Sequence, residues 1–113
     1  MSALEIAARV ERFVRDYIVP HERDPRWGAH GPSEAMVVDM RDKARSAGLL
    51  TPHIDEAGHH RSHRDTVAIL RAAGLSPLGP VALNVAAPDE GNMYLFGRVA
   101  TPEQKARFLT PLL

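Results

Sequence analysis

Apolar residues recur at steps of three and four along most of the chain, the spacing of one face of an α-helix. Ile6, Val10, Phe13, Val14 and Tyr17 form the first stripe. Ser2-Ala3-Leu4-Glu5 precedes it as a capping box, in which the serine and glutamate side chains each satisfy a free amide of the opening turn. Pro20 ends this helix, because it lacks an amide donor and drives its predecessor out of the α region. Residues 20–32 hold three prolines and two glycines around Trp27 and read as a loop whose tryptophan plugs a small core. Ser33 caps a second helix with Met36, Val37, Met40, Ala44 and Ala47 on its buried face. Gly48 fits the left-handed position that closes it.

Further along, residues 49–62 form a polar, histidine-rich loop. A third helix over residues 62–73 turns Val67, Leu70 and Ala73 inward, and residues 74–79 connect onward. Pro80 suits the first turn of a fourth helix, where a missing amide costs nothing. Leu83, Ala87 and Gly91 then recur at intervals of four on one face, with a kink or break expected at Pro88 and a restart at Asp89 toward Gly97. Thr101-Pro102-Glu103-Gln104 combines a hydroxyl cap, a proline in the first turn and a glutamine that completes the box. The last helix should stop at Pro111. No period-two pattern is long enough to name a strand, so the pattern predicts an all-α fold of about five to six helices in one domain, residues 1–113.

Composition narrows the function classes. Only 5% of the 113 residues are aromatic although 44% are apolar, which suits closely packed helices. Lys plus Arg and Asp plus Glu balance at 14 each, so no basic surplus points to nucleic acid or to an anionic membrane. The absence of cysteine excludes disulfides, thiolate catalysis and thiolate metal sites. No apolar run of spanning length and no export signal is present, and a cytoplasmic protein is expected. Arg41, Lys43, Arg45 and Arg107 form no phosphate cradle and read as solvated faces. His59, His60 and His63, with His53, have the residue type and spacing of a metal site, but Gly58, Arg61 and Arg64 point to a solvated loop, and no metal is expected.

Ala87-Pro88-Asp89-Glu90-Gly91-Asn92-Met93, followed by Thr101-Pro102-Glu103-Gln104-Lys105 and Phe108-Leu109-Thr110-Pro111-Leu112-Leu113, resembles the N-terminal helical domain of the acyl-CoA dehydrogenase family. The segment 43–50, with Ala44-Arg45-Ser46-Ala47-Gly48-Leu49, supports the resemblance, as does the first helix running into Pro20. One departure is Gly58-His59-His60-Arg61-Ser62-His63, which stands where the family often has a Gly-rich turn.

The resemblance implies an FAD-dependent desaturation of an acyl-CoA thioester. It also implies a β-sheet domain and a C-terminal helical bundle that carry the flavin and the catalytic base. In that family the helix matching residues 80–97 lines the acyl cavity, which places Leu83, Ala87 and Gly91, with Asn84 beside them, along a wall. Small side chains at 87 and 91 leave room for a long acyl group. No catalytic residue is assigned; Asp89 and Glu90 read as helix-start carboxylates. The chain alone is expected to bind no FAD and to turn nothing over, and its partners are the substrate and the remaining domains. The apolar ending at Phe108, Leu109, Pro111, Leu112 and Leu113 is expected to dock on this domain or to lead into another. The alternative is a stand-alone helical interaction module derived from the same fold, with the final leucines folded back or forming an oligomer interface.

Overall fold

A computed structural model describes residues 1–113. Helix α1, Ala3–Phe13, starts on the Ser2 capping box, with Ser2 Oγ accepting from Glu5 N at 3.2 Å and Glu5 Oε2 accepting from Ser2 N at 2.8 Å. It continues as a π turn, Val14–Ile18, and then a 3-10 turn, Val19–Arg23, that carries Pro20. A π turn holds more residues than an α turn, so the inward position moves on by one. Ile18 is therefore fully buried, whereas Tyr17, expected on the stripe, is 54% exposed.

The proline-rich loop folds on itself through a minimal antiparallel pair, β1 Trp27–Gly28 with β2 Gly31–Pro32. Trp27 packs against the core from there, as expected. Arg26 braces the loop by donating to Asp24 and to Asp39. Its guanidinium, and next its backbone amide, hold the Asp24 carboxyl down to about 2.

Helix α2, Glu34–Ser46, is capped by Ser33 and buries Met36, Met40 and Ala44; Gly48 follows with φ +70°, the left-handed closure. Helix α3, His63–Ala73, is capped by Ser62 and lies mainly against α1. Its inward face is Thr66, Ile69, Ala72 and Ala73. Val67, expected inside, is 56% exposed. Apolarity favoured Val67 over Thr66, but the Thr66 hydroxyl donates to the Arg61 carbonyl at 3.4 Å, which lets a polar residue turn inward.

Helix α4, Gly79–Ala82, is a single turn, and α5, Asp89–Val99, starts where the sequence predicts a restart. Between them the chain is not helical. Asn84 adopts a left-handed φ of 58°, so Leu83, Ala87 and Gly91 do not share one continuous helical face. Arg41, expected to be solvated, donates from Nε to the Val81 carbonyl at 3.0 Å and so holds the end of α4.

Helix α6, Pro102–Gln104, opens on the Thr101 capping box and loosens into a π turn, Lys105–Leu109, and a 3-10 turn, Thr110–Leu112. The fold is all-α, as predicted. One cluster, containing Val10, Ile18, Met36, Met40, Ile69 and Leu83, joins α1 through α4. Met93 and Leu109 are buried outside that cluster, on α5 and the final turns. No helix is long and apolar enough to cross a membrane.

Candidate functional site

The segment that joins α4 to α5 divides the four predicted wall residues into two pairs. Leu83 is fully buried in the main core, and its carbonyl accepts from Thr51 N at 2.9 Å. The Asn84 amide donates from Nδ2 to the Leu112 carbonyl at 2.9 Å, fastening the final turn to this segment. Ala87 and Gly91, in contrast, are exposed. A Cβ added at Gly91 would meet nothing within 4 Å. Leu83 and Asn84 thus set the backbone path, and Ala87 and Gly91 present a small-residue surface outward. A groove of about 690 Å³ lies elsewhere, between α1 and residues 48–58, with Ile6, Leu49, Leu50, Pro52 and Ile54 among its lining residues.

Beyond Gly91, α5 and the final turns carry an open apolar face. Leu95 is 54% exposed, Val99 71% and Phe108 49%, while Phe96 stacks on Phe108 with ring centroids 6.1 Å apart. Four neighbouring large apolar side chains of this kind are what an interaction surface displays.

A polar cluster holds the opposite side of α5 against residues 49–62. His60 Nδ1 lies 2.7 Å from the Arg61 carbonyl oxygen, and His60 Nε2 lies 3.1 Å from Glu90 Oε1. The Tyr94 ring packs edge-on to His60, centroids 5.0 Å apart. His53 is fully buried with neither ring nitrogen hydrogen-bonded. Burial first, and the neighbouring His60 imidazole second, push its pKa down to about 4 despite the opposing pull of Glu90, so His53 is neutral at pH 7.

This corrects the picture of a solvated loop. Asp55 accepts from the amides of Ala57 and His59 at 2.9 Å each, Arg61 N donates to the His53 carbonyl, and the turn closes with His53 inside. The His59 amide, ahead of that of Ala57, lowers the Asp55 carboxyl below its usual range despite partial desolvation. His59 and His63 remain exposed. The histidines that converge are His53 and His60, and their third member is Glu90, thirty positions beyond His60. No spacing rule in the sequence links that carboxylate to that loop.

Asp89 and Glu90 occupy the first turn of α5, where carboxylates stabilise a helix start, and Glu90 is taken up by His60. Acidic residues likewise stand in the first turns of α1, α2, α3 and α6.

Residues 2–113 match a family model described as acyl-CoA dehydrogenase, N-terminal domain. The chain is 29% identical over 119 aligned positions to "Probable acyl-CoA dehydrogenase FadE2" of Mycobacterium tuberculosis (strain ATCC 25618 / H37Rv), covering 98% of this chain and 29% of that protein. It is 33% identical over 95 positions to "Acyl-CoA dehydrogenase family member 10" of Mus musculus, covering 78% of this chain and 8% of the relative. With "Acyl-CoA dehydrogenase family member 11" of Mus musculus the identity is 25% over 121 positions, 96% of this chain and 15% of the relative. The chain therefore spans less than a third of the length of these relatives. No solved structure matches it.

Proposed function

The chain belongs to the acyl-CoA dehydrogenase family, as its N-terminal domain, and from that premise we propose that it is the helical part of a flavin-dependent enzyme that desaturates acyl-CoA thioesters. Its contribution is a wall of the acyl pocket and a face on which the flavin-bearing domains dock. Ala87 and Gly91 are the wall residues with open space before them, and Leu83 and Asn84 hold that stretch of backbone in place from behind. The observation that carries this reading is the exposed small-residue surface at Ala87 and Gly91, continuous along α5 with the apolar face of Leu95 and Val99. Neither surface encloses a substrate alone. A second domain laid on them would complete a cavity, and the lack of side-chain bulk at 87 and 91 favours a long acyl chain.

FAD supplies the hydride acceptor for such a desaturation. The residues present here do not fit its pyrophosphate. An anion-binding helix start offers free amides to the phosphate. Five of the six α-helices carry a carboxylate in the first turn, whose charge opposes a phosphate there, and α4 starts on Gly79, whose amide is given to the Ser76 carbonyl, and on Pro80, which has none. No step is therefore assigned to the flavin within this chain. Acyl-CoA and the remaining dehydrogenase domains are the proposed partners.

Gly91→Leu separates this role from folding. In the chain alone the substitution is expected not to lower stability and to raise it by up to about 1 kcal/mol, because glycine in the first turn of α5 gives way to a better helix former and a Cβ there meets nothing within 4 Å. In an enzyme assembled from this domain and flavin-bearing domains of the family, kcat/KM should fall at least about tenfold for long acyl-CoAs, the equivalent of roughly 1.4 kcal/mol. Short substrates should be little affected. An unchanged chain-length profile would remove Gly91 from the pocket.

A further inference from the structure

We propose that His53, His60 and Glu90 bind one divalent transition-metal ion of the zinc class, which clasps the 49–62 turn to the first turn of α5. One donor atom from each residue lies within 4.8 Å of the other two. At metal–ligand distances of about 2.0–2.2 Å, a tetrahedral zinc sets its ligands roughly 3.3 Å apart. The His60–Glu90 separation of 3.1 Å already fits one edge of that tetrahedron, and side-chain rotations of about 1.5 Å bring His53 to the others.

Two further features favour a metal. The Arg61 carbonyl can only accept, so His60 Nδ1 must carry the hydrogen at that 2.7 Å contact. In the neutral ring this directs the Nε2 lone pair at the Glu90 carboxylate, so two acceptors face each other, a repulsion that a shared cation relieves. The same arrangement, a ring N–H fixed on a backbone carbonyl, orients metal-ligating histidines generally. A proton on Nε2 also relieves the contact, but it leaves both His53 nitrogens unbonded in the interior. An ion shared by the three satisfies the carboxylate, the Nε2 lone pair and one His53 nitrogen together.

Two of the basic neighbours have other contacts. Arg61 Nε donates to the Pro52 carbonyl at 3.0 Å, and the Arg98 guanidinium lies 6.0 Å from the Tyr94 ring centroid. Two imidazoles and one carboxylate suit zinc rather than calcium or magnesium, which take oxygen ligands. A fourth coordination position would face the cavity of about 410 Å³ lined by His59, His63, Tyr94, Arg98 and Lys105.

Calorimetric titration of the untagged chain with Zn²⁺ tests the proposal. One equivalent should bind with Kd of about 1 μM or tighter, and Co²⁺ in its place should give the visible absorption of a tetrahedral site. Glu90→Gln should weaken Zn²⁺ at least about tenfold, and His53→Leu should abolish the site. The double substitution of His59→Ala and His63→Ala should leave Kd unchanged, because neither side chain belongs to the cluster. Zn²⁺ should raise Tm in the parent chain and, at the same concentration, clearly less in Glu90→Gln, a partly exposed position that keeps the test valid if His53→Leu fails to fold. Absence of stoichiometric binding, or binding that survives Glu90→Gln and disappears with His59 and His63, would overturn it.

Discussion

Gly79→Ala is expected to cost at least about 3 kcal/mol, a large part of the roughly 5–15 kcal/mol that holds a domain of this size together. A Cβ at position 79 would lie inside the van der Waals envelope of the Ala73 carbonyl oxygen and 2.8 Å from the Ala73 carbonyl carbon. The obstructing atoms are backbone, so no side chain can swing aside. Relief requires separating the start of α4 from the end of α3, and both Ala73 and Ala82 are fully buried in the main core. Overpacking against flexible neighbours usually costs about 1–3 kcal/mol; here the neighbour is fixed. Thermal unfolding followed by circular dichroism should show Tm lowered by about 12 °C or more. Gly97→Ala, where an added Cβ meets nothing within 4 Å, serves as the control and should not lower it.

Ile69→Ala is expected to destabilise the chain by about 2–5 kcal/mol, whereas Val67→Ala should change stability by no more than about 0.5 kcal/mol. Ile69 is fully buried on α3, which packs mainly against α1, so truncation removes its contacts and leaves a cavity in the main core. Val67 points to solvent. Denaturant unfolding of the two variants reads this register directly. Comparable losses from both would mean that α3 is rotated relative to α1.

Those two residues also mark where the sequence was informative and where it was not. Helix starts were legible because capping is local: the Ser2, Ser33, Ser62 and Thr101 hydroxyls each accept a bond from an amide three residues on. The break before Asp89 was legible because proline acts on its own backbone. Rotational register was less so, since it depends on partners distant in sequence. Thr66 turns inward because a carbonyl of the preceding loop receives its hydroxyl, and Tyr17 turns outward because the helix widens beneath it. The shape of the wall segment was hidden for a similar reason. A one-turn α4 and a left-handed Asn84, tied to the Leu112 carbonyl, replace the helix running from Pro80 to the break at Pro88 that the four-residue spacing predicts. Glu90 and the histidine turn meet only through tertiary structure, so periodicity could not associate them.

The division of labour proposed for this domain is tested most directly by incubating the purified 113-residue chain with FAD and a series of acyl-CoAs, then desalting it and adding an artificial electron acceptor. No flavin absorbance should remain with the protein, and the acceptor should stay oxidised at every chain length. Retained flavin together with acyl-CoA-dependent reduction of the acceptor would contradict the assignment of the redox machinery to other domains.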